Sequence, residues 1–269
     1  MDIALLTNKF ERIGARLKVV NRPRQRFTTA PNLLTLDIGM DRRGEFFEIA
    51  PSTGTDPDVE VLSLRPSNRH LLLLVREDGA KNKYLCGHDE RHWFVAGIPE
   101  KASVGTVGQA MEALQPREVQ TALARRGVSG KARNRRKNPA FIRQGEWFFL
   151  PVANIAVEKT LVLKNEPLSR GNGGKPHWVD FCYRTGGELV YVCSRHPSGV
   201  TESQYRKILS RNGKAKNWGW RTMRRNPGVY VRGRVRHPDH ATITLHGWHQ
   251  VVMNTENESR AMRNVAFLD

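Results

Sequence analysis

The sequence has few cysteines and no long apolar run. Its 269 residues include three cysteines, too few for a disulfide framework, and the odd number favours a reducing compartment. No apolar run approaches the roughly 20 residues of a membrane-spanning helix. The N-terminus carries Asp2 where a secretory signal peptide needs positive charge. We therefore expect a soluble, cytoplasmic protein with no membrane partner.

Several motifs with a known chemistry are also absent. The chain has no pair of C-x-x-C motifs of the zinc-ribbon kind. Its glycine-rich stretch SRGNGGKPH lacks the G-K-[ST] of a phosphate-binding loop, and its histidine-rich C-terminal part lacks H-E-x-x-H. These absences argue against a zinc ribbon, a nucleoside triphosphate site and a helical zinc protease.

Acidic residues are missing from two windows, 119–145 and 203–238, which together hold 19 of the 44 lysines and arginines. The remaining 25 basic residues are balanced by the 26 acidic ones, so these windows account for the whole net charge. Clustered like charges repel one another and cost stability, so a polyanionic partner is the simplest reason for them. The alternatives are a solvated surface, and an acidic protein or membrane surface as partner.

We predict nucleic acid as the partner and RNA as the preferred kind. Tyr205, Trp218, Trp220 and Tyr230 are interleaved with the cations of the second window. Cationic groups hold phosphates while aromatic faces stack on unpaired bases, which favours structured or single-stranded RNA over duplex DNA. The alternative for both tryptophans is a role as core anchors. The residues predicted to contact nucleic acid are Arg125, Arg126, Lys131, Arg133, Arg135, Arg136, Lys137, Arg170, Lys175, Arg206, Lys207, Arg211, Lys214, Lys216, Trp218, Trp220, Arg221, Arg224, Arg225, Arg232, Arg234 and Arg236.

Hydrophobic periodicity predicts an α+β protein that is mainly β. Alternating apolar residues over 34–38, 45–50 and 59–64 indicate half-buried strands, and the continuous run LLLLV indicates a central strand covered on both faces. Helical spacing over 106–126 predicts a pair of helices, and Thr201 is predicted to cap a third. We expect a β-rich N-terminal domain over 1–124, a basic linker or loop over 125–142, and a basic, barrel-like β domain over 143–269 with an inserted helix.

Histidines and carboxylates are concentrated in the C-terminal half. RHPDH brings together His237, Asp239 and His240, and Glu166 and His177 lie upstream. Imidazoles near carboxylates bind divalent metals such as Zn²⁺ or Mn²⁺, or act as an acid–base pair. The alternative function is therefore a nuclease, His-based or dependent on Mn²⁺, Mg²⁺ or Zn²⁺, with Glu166 as ligand or base.

Two further interpretations of these histidines stay open. If RHPDH is one strand, His237 and Asp239 share a face and His240 lies on the other. The simpler hypothesis is that the histidines hydrogen-bond the backbone or phosphates.

A second candidate metal site is Cys86-Gly-His88 with His92. It needs Cys193 and His196 to complete it, and so depends on the fold bringing the two halves together. A buried free cysteine with surface histidines is the more common arrangement.

Three segments of the second half resemble a pattern in small, functionally uncharacterised, β-rich proteins of bacteria and phages. RQGEWFFLPV is similar to their opening Q-G-D-like strand, NEPLSRGNGGKPHWV to a segment of the E-x-x-G-H-x-H kind, and RHPDH to an H-x-E-H-like segment. One histidine expected in the middle segment is absent, and a longer basic insert is present. The resemblance implies a barrel-like domain with a shared site around Glu166, His177, His237 and His240, in which Gln144-Gly145-Glu146 matches the opening. It implies no particular reaction.

The context and a third function follow as hypotheses. The chain is compatible with a component of a ribonucleoprotein, a mobile element or a defence system. Alternatively, it is an adaptor that holds a protein partner on its N-terminal domain and tethers nucleic acid with its basic half. An exposed apolar patch on the N-terminal strands would support the adaptor.

Overall fold

The computed structural model describes residues 1–20, 34–51, 56–77, 79–169 and 175–256, together with the backbone of 265–266. Within these ranges, every helix is too short or too polar to cross a lipid bilayer. The helices are α1 (Ile3–Glu11), α2 (Val107–Ala113), α3 (Arg117–Arg125) and α4 (Glu202–Arg211). Strands predominate, as the sequence predicts.

The N-terminal strands form two sheets that enclose one core. β4 to β7 pair in order as an antiparallel meander, and β1, β3 and β2 belong to the second sheet. Side chains of α1 and of both sheets, such as Phe10, Phe47 and Leu73, pack together between them. The strands are β1 (Leu17–Val19), β2 (Thr35–Asp41), β3 (Gly44–Ala50), β4 (Asp58–Arg65), β5 (His70–Glu77), β6 (Ala80–Asp89) and β7 (His92–Gly97).

The prediction of a central strand covered on both faces is confirmed for β5. Leu71, Leu73 and Val75 point into the core shared with α1. Leu72 points the other way, into a second core that α2 covers. The continuous apolar run is thus required, because neither face of β5 meets solvent.

The basic segment 125–142 that follows α3 exposes about half of its residues and is anchored by buried apolar side chains. Val128, Ala140 and Phe141 are buried against α3 and β9. The segment also forms an isolated bridge between Lys137 and Ile142. Its cations therefore stand on a packed layer, since the apolar residues between them have a core to fill. The division of the chain into two domains at this point stays a prediction.

Six of the ten C-terminal strands named below form a sheet in the order β10-β11-β15-β16-β9-β8. Across the described residues this sheet does not close, so the barrel is corrected to an open sheet. The outer edge of β8 is occupied by the basic segment instead, whose Arg136 carbonyl accepts the Arg143 N–H. The strands are β8 (Ile142–Gln144), β9 (Trp147–Pro151), β10 (Leu163–Leu168), β11 (His177–Thr185), β12 (Glu188–Cys193), β13 (His196–Val200), β14 (Arg221–Arg225), β15 (Gly228–His237), β16 (His240–Met253) and β17 (Val265–Ala266).

The ribbon of β11 and β15 continues beyond the sheet as β12 and β14, which pair with β13 in a small sheet of their own. We call residues 186–227 the arm. Gly187 lies where the arm begins, with a φ of 76°, and a Cβ there would stand 2.6 Å from the Arg225 carbonyl oxygen. α4 packs on β12, and Thr201 caps α4 in a capping box with Gln204, which confirms the predicted helix start.

The two halves of the chain are joined by several direct contacts. β17 pairs in parallel with β2, so the C-terminal part returns to the N-terminal sheet. The Thr255 hydroxyl donates to the Ala113 carbonyl at the end of α2. The turn between β6 and β7 lies against the turn between β15 and β16, where the Arg91 guanidinium donates to the Pro238 carbonyl at 3.3 Å.

Candidate functional site

Three histidines meet at one end of the six-stranded sheet. His237 ends β15 and His240 begins β16, and the two are direct cross-strand partners around the Pro238-Asp239 turn. Cross-strand partners point to the same side of a sheet, so the prediction that they lie on opposite faces is wrong. The alternation rule failed because the chain reverses between them. His177 begins β11, where its neighbour Trp178 pairs with Arg236, and so it lies beside His237.

The three imidazole rings form a compact cluster. The ring centroids of His177 and His237 are 4.2 Å apart, those of His177 and His240 are 5.5 Å apart, and those of His237 and His240 are 4.8 Å apart. One ring nitrogen of each histidine lies within 4.8 Å of the other two. We call these three residues the histidine cluster.

His177 is the buried member of the histidine cluster. It is 1% exposed, and neither of its ring nitrogens has a hydrogen-bond partner among the described residues. Burial, followed by the neighbouring His237 and His240, lowers the pKa of His177 to about 3. Its ring is therefore neutral at physiological pH, with one lone pair directed into the cluster region.

Contacts assign a proton position to the other two rings. His237 Nε2 lies 3.2 Å from the Lys175 carbonyl oxygen, so Nε2–H donates there and Nδ1 carries the lone pair. That lone pair accepts the Asp239 N–H at 3.1 Å. His240 Nδ1 lies 3.5 Å from Glu90 Oε2 without forming a hydrogen bond. The nearby carboxylate favours a proton on Nδ1, which leaves Nε2 with the lone pair.

Gly145 lies directly against the cluster, in the turn between β8 and β9. Its φ is 57°, and a Cβ there would stand 3.0 Å from His240 Nε2 and 3.5 Å from His177 Nε2. A side chain would fill the space beside both nitrogens. The same turn is tied to the β16 strand, because Gln144 Nε2 donates to the Ala241 carbonyl at 2.6 Å.

The turn between β6 and β7 supplies carboxylates from the N-terminal half. Glu90 has a φ of 48°, in the left-handed region, and its Oε2 accepts the Ala241 N–H at 3.0 Å. Arg136 forms ion pairs with both Asp89 and Glu90. Sequence reasoning missed Glu90, and no local pattern marks it, since 151 positions separate it from Ala241.

A cavity of about 430 Å³ opens beside the cluster, between the two halves of the chain. Its lining includes the histidine cluster with Lys175, Asp239 and Arg143, and Lys175 Nζ pairs with Asp239 Oδ2 at 3.0 Å. Apolar side chains, including Phe94 and Met111, also line it. The wall of the cavity thus combines metal-ligating side chains with apolar ones.

Glu166, the predicted ligand or base, is not brought to the cluster. It pairs with Val179, two residues from His177 on β11, but its carboxylate accepts from Arg184 Nη1 at 2.7 Å and does not line the cavity. Asp239, by contrast, is present beside His237, as the sequence predicts.

The second candidate metal site does not assemble in the described part of the chain. Cys86 is fully buried in the N-terminal core, where burial raises the pKa of its thiol. His88 packs against Trp93, and His92 Nδ1 contacts Glu45 Oε1 at 2.6 Å. Cys193 and His196 belong to the arm instead. The three cysteines are free and buried, as the simpler hypothesis predicts.

The arm gathers the predicted aromatic residues around one helix. Tyr205 of α4 stacks on Tyr191 with ring centroids 4.2 Å apart. Trp218 and Trp220 lie nearly parallel with centroids 6.0 Å apart, and the Arg195 guanidinium covers Trp218 at 4.4 Å. Both tryptophans are half-buried, so each keeps part of its ring in solvent.

The cations of the arm differ in their pairing. Arg206 pairs with Glu202, and Arg225 pairs with Glu188. Arg224 donates to the Gly186 carbonyl. Six cations of the second window on the arm form no ion pair with an acidic side chain among the described residues: Lys207, Arg211, Lys214, Lys216, Arg221 and Arg224.

The rest of the second window lies on β15 and is largely engaged. Arg234 and Arg236 both pair with Asp180, at 3.1 and 3.5 Å. The Arg232 guanidinium lies 5.1 Å from the ring centroids of Phe181 and Trp248. Tyr230 also belongs to β15, apart from the aromatic group of the arm.

The first window divides into surface and interior cations. Arg133 lies 3.8 Å from Glu112, and Arg143 lies 3.8 Å from Asp89 in the wall of the cavity. Lys175, near the second half's glycine-rich stretch, is held by Asp239, and Arg170 lies outside the described residues. The exposed cations of the first window are Arg125, Arg126, Lys131, Arg135 and Lys137.

The apolar patch expected for an adaptor is not found among the described N-terminal strands. Leu34, Leu36 and the leucines of β5 are buried, and Met40 is the large apolar residue exposed there.

No protein-family model matches the chain, and neither the curated proteins nor the solved structures contain a match. Function is therefore argued from the histidine cluster and the arm alone.

Proposed function

We propose that the protein binds nucleic acid through its arm, with single-stranded or structured RNA as the preferred ligand. The observation that carries the proposal is the coincidence of half-buried aromatic rings and unpaired cations in one small unit. The arm has nine basic and two acidic residues, and both acidic side chains are already paired with arginines.

The chemistry of single-strand binding matches this combination. Lysine and arginine side chains neutralise backbone phosphates, while aromatic faces stack on bases of any sequence. Trp218 offers a partly exposed ring beside Lys214 and Lys216, which lie four and two residues before it. The preference for RNA is argued from these aromatic faces, since a groove-reading helix motif is not recognisable in the sequence.

A charge-neutralised arm tests the proposal. In the variant Lys207→Gln, Arg211→Gln, Lys214→Gln, Lys216→Gln, four candidate phosphate contacts are removed. Each contact with a single strand contributes about −0.7 to the slope of log K against log salt, so the slope should fall by about 3. The measurement is fluorescence anisotropy with a labelled single-stranded RNA, an RNA hairpin, single-stranded DNA and duplex DNA between 50 and 200 mM KCl.

A matched control carries the same loss of charge at exposed positions away from the arm: Arg12→Gln, Lys81→Gln, Lys101→Gln and Lys159→Gln. It should keep the wild-type slope to within about 1. An equal decrease of the salt slope in both variants would mean that binding depends on the net charge of the protein and not on the arm. The absence of binding to every probe at 50 mM KCl would end the proposal.

The histidine cluster favours a second candidate function, hydrolysis of phosphodiesters. In that reaction a water oxygen bonds to phosphorus, the P–O ester bond breaks and the departing oxygen takes up a proton. The cluster, Lys175 and Arg143 in the lining of the cavity combine groups that activate water with groups that stabilise charge on phosphorus. End-labelled RNA should be shortened by the wild-type protein and by His246→Ala, but not by the double variant His237→Ala, His240→Ala. Cleavage that survives the double change excludes the cluster as its source.

A further inference from the structure

We propose that His177, His237 and His240 bind one divalent transition-metal ion, with Zn²⁺ as the reference ion and a fourth coordination position open to the cavity. The inference deepens the second candidate function by naming its cofactor and rests on that site. It holds independently of whether the chain cleaves RNA.

The first argument is the state of the His177 side chain. Its two ring nitrogens are buried and have no partner among the described residues, although an unpaired buried polar group is costly. Apolar residues would fill the position without that cost. A metal bond to one nitrogen supplies the missing interaction.

The second argument is the set of lone pairs. Donation from His237 Nε2–H to the Lys175 carbonyl leaves Nδ1 as the ligand atom, and Glu90 beside His240 Nδ1 leaves Nε2. Metal-bound histidines regularly give their second N–H to a backbone carbonyl or a carboxylate. His237 has the carbonyl partner, whereas the Glu90 carboxylate lies 3.5 Å from His240 Nδ1 without forming a hydrogen bond. On binding, the metal replaces the Asp239 N–H that His237 Nδ1 now accepts.

The third argument is distance and space. The three nitrogens lie within 4.8 Å of one another. Around a tetrahedral zinc with bonds of 2.0–2.1 Å, they stand about 3.3 Å apart, so the side chains must rotate to bring the nitrogens together on the ion. Gly145 keeps the volume beside His177 Nε2 and His240 Nε2 free of a side chain.

The donor set selects the class of ion. Three imidazoles suit Zn²⁺ and its transition-metal neighbours, whereas Mg²⁺ and Ca²⁺ prefer oxygen ligands. Asp239 Oδ2 is paired with Lys175 Nζ at 3.0 Å, and its use as a fourth ligand would cost that ion pair. Three protein ligands with an open position are typical of catalytic rather than structural zinc.

The test is metal binding by the full-length, tag-free chain after removal of metals with a chelator, in the absence of nucleic acid. Titration with Co²⁺ should give the visible absorption of a tetrahedral ion at one equivalent per chain, and Zn²⁺ should displace it. His177→Ala should bind Co²⁺ at least 100-fold more weakly. Glu90→Gln, which leaves all three ligands in place, should bind 10- to 100-fold more weakly.

His246→Ala is the matched control, because His246 lies exposed on the same strand as His240 and outside the cluster. It should bind Co²⁺ like the wild type. If His177→Ala does not fold, as judged by its melting curve, His240→Ala and Glu90→Gln decide the question. The proposal is overturned if the wild type shows no stoichiometric binding, or if folded cluster variants bind as tightly as His246→Ala. Metal binding without RNA cleavage would refute the hydrolase and leave the metal site standing.

Discussion

The arm and the histidine cluster use charge in opposite ways. On the arm, six cations of the second window are exposed and have no acidic partner among the described residues. Near the cluster, by contrast, Arg136 contacts Asp89 and Glu90, and Lys175 contacts Asp239. The arm therefore presents uncompensated positive charge to solvent, whereas these two cations near the cluster are paired.

The difference teaches that a count of basic residues does not measure the charge available to a ligand. Arg136 and Arg143 belong to an acid-free window of the sequence, yet the fold supplies their counterions from the turn between β6 and β7. The net charge of a sequence window therefore differs from the net charge around its residues in the fold wherever distant segments come into contact.

The largest expected loss of folding stability, relative to a control variant on the arm, follows from the removal of an interior cation. Arg136→Ala leaves Asp89 and Glu90 partly buried without their main counterion, and we expect a loss of about 2 kcal/mol in the free energy of unfolding. The exposed arm variant Arg221→Ala should change that free energy by less than about 0.5 kcal/mol. Urea unfolding of both variants checks the contrast. Equal effects would mean that the pairing at Asp89 and Glu90 adds no stability.

Removal of an aromatic ring from the arm tests its role in RNA binding instead of its charge. Trp218→Ala should weaken single-stranded RNA binding by about 1–3 kcal/mol, since one base loses its stacking partner, and should leave the salt slope unchanged. Trp178→Ala removes a tryptophan that is 37% exposed on the six-stranded sheet, and should bind RNA normally. Anisotropy at two salt concentrations separates the variants. A normal affinity for Trp218→Ala would assign Trp218 to the core of the arm.

The smallest expected difference between a variant and its control, roughly 1 kcal/mol, concerns the space beside the cluster. Gly145→Ala and Gly127→Ala both place an alanine at positive φ, 57° and 61°, at a cost of about 1–2 kcal/mol each. A Cβ at Gly127 meets no atom within 4 Å, whereas one at Gly145 stands 3.0 Å from His240 Nε2. Gly145→Ala should therefore lose roughly 1 kcal/mol more stability and bind Co²⁺ more weakly than Gly127→Ala. Identical behaviour of the two variants would show that Gly145 serves only the turn.

The elements that carry a clear local sequence pattern were predictable from the sequence. β5 is marked by its continuous apolar run, and α4 by the capping pattern of Thr201 and Gln204. β13 and β14 were not predicted, because HPSGV contains proline and glycine and RTMRR presents no apolar alternation. Both strands are specified by pairing with β12 rather than by local propensity.

The candidate site was predictable in its residue types and not in its arrangement. His237 and His240 were identified because they are neighbours in RHPDH, but their shared face depends on a turn that alternation does not describe. The strand register brings Glu166 within two residues of the partner of His177, but Arg184 engages its carboxylate, a contact that the sequence does not reveal. Glu90 was missed because it reaches the cluster from another sheet.

The paired strands β11 and β15 connect the two regions and hold them at a fixed distance from each other. The histidine cluster lies at the His177 end of β11, and the arm begins beyond Thr185 at its other end. Eight steps of about 3.3 Å along a strand separate these ends by roughly 25 Å. Both ends belong to hydrogen-bonded strands, so the distance between the two regions is set by backbone pairing and not by a flexible linker.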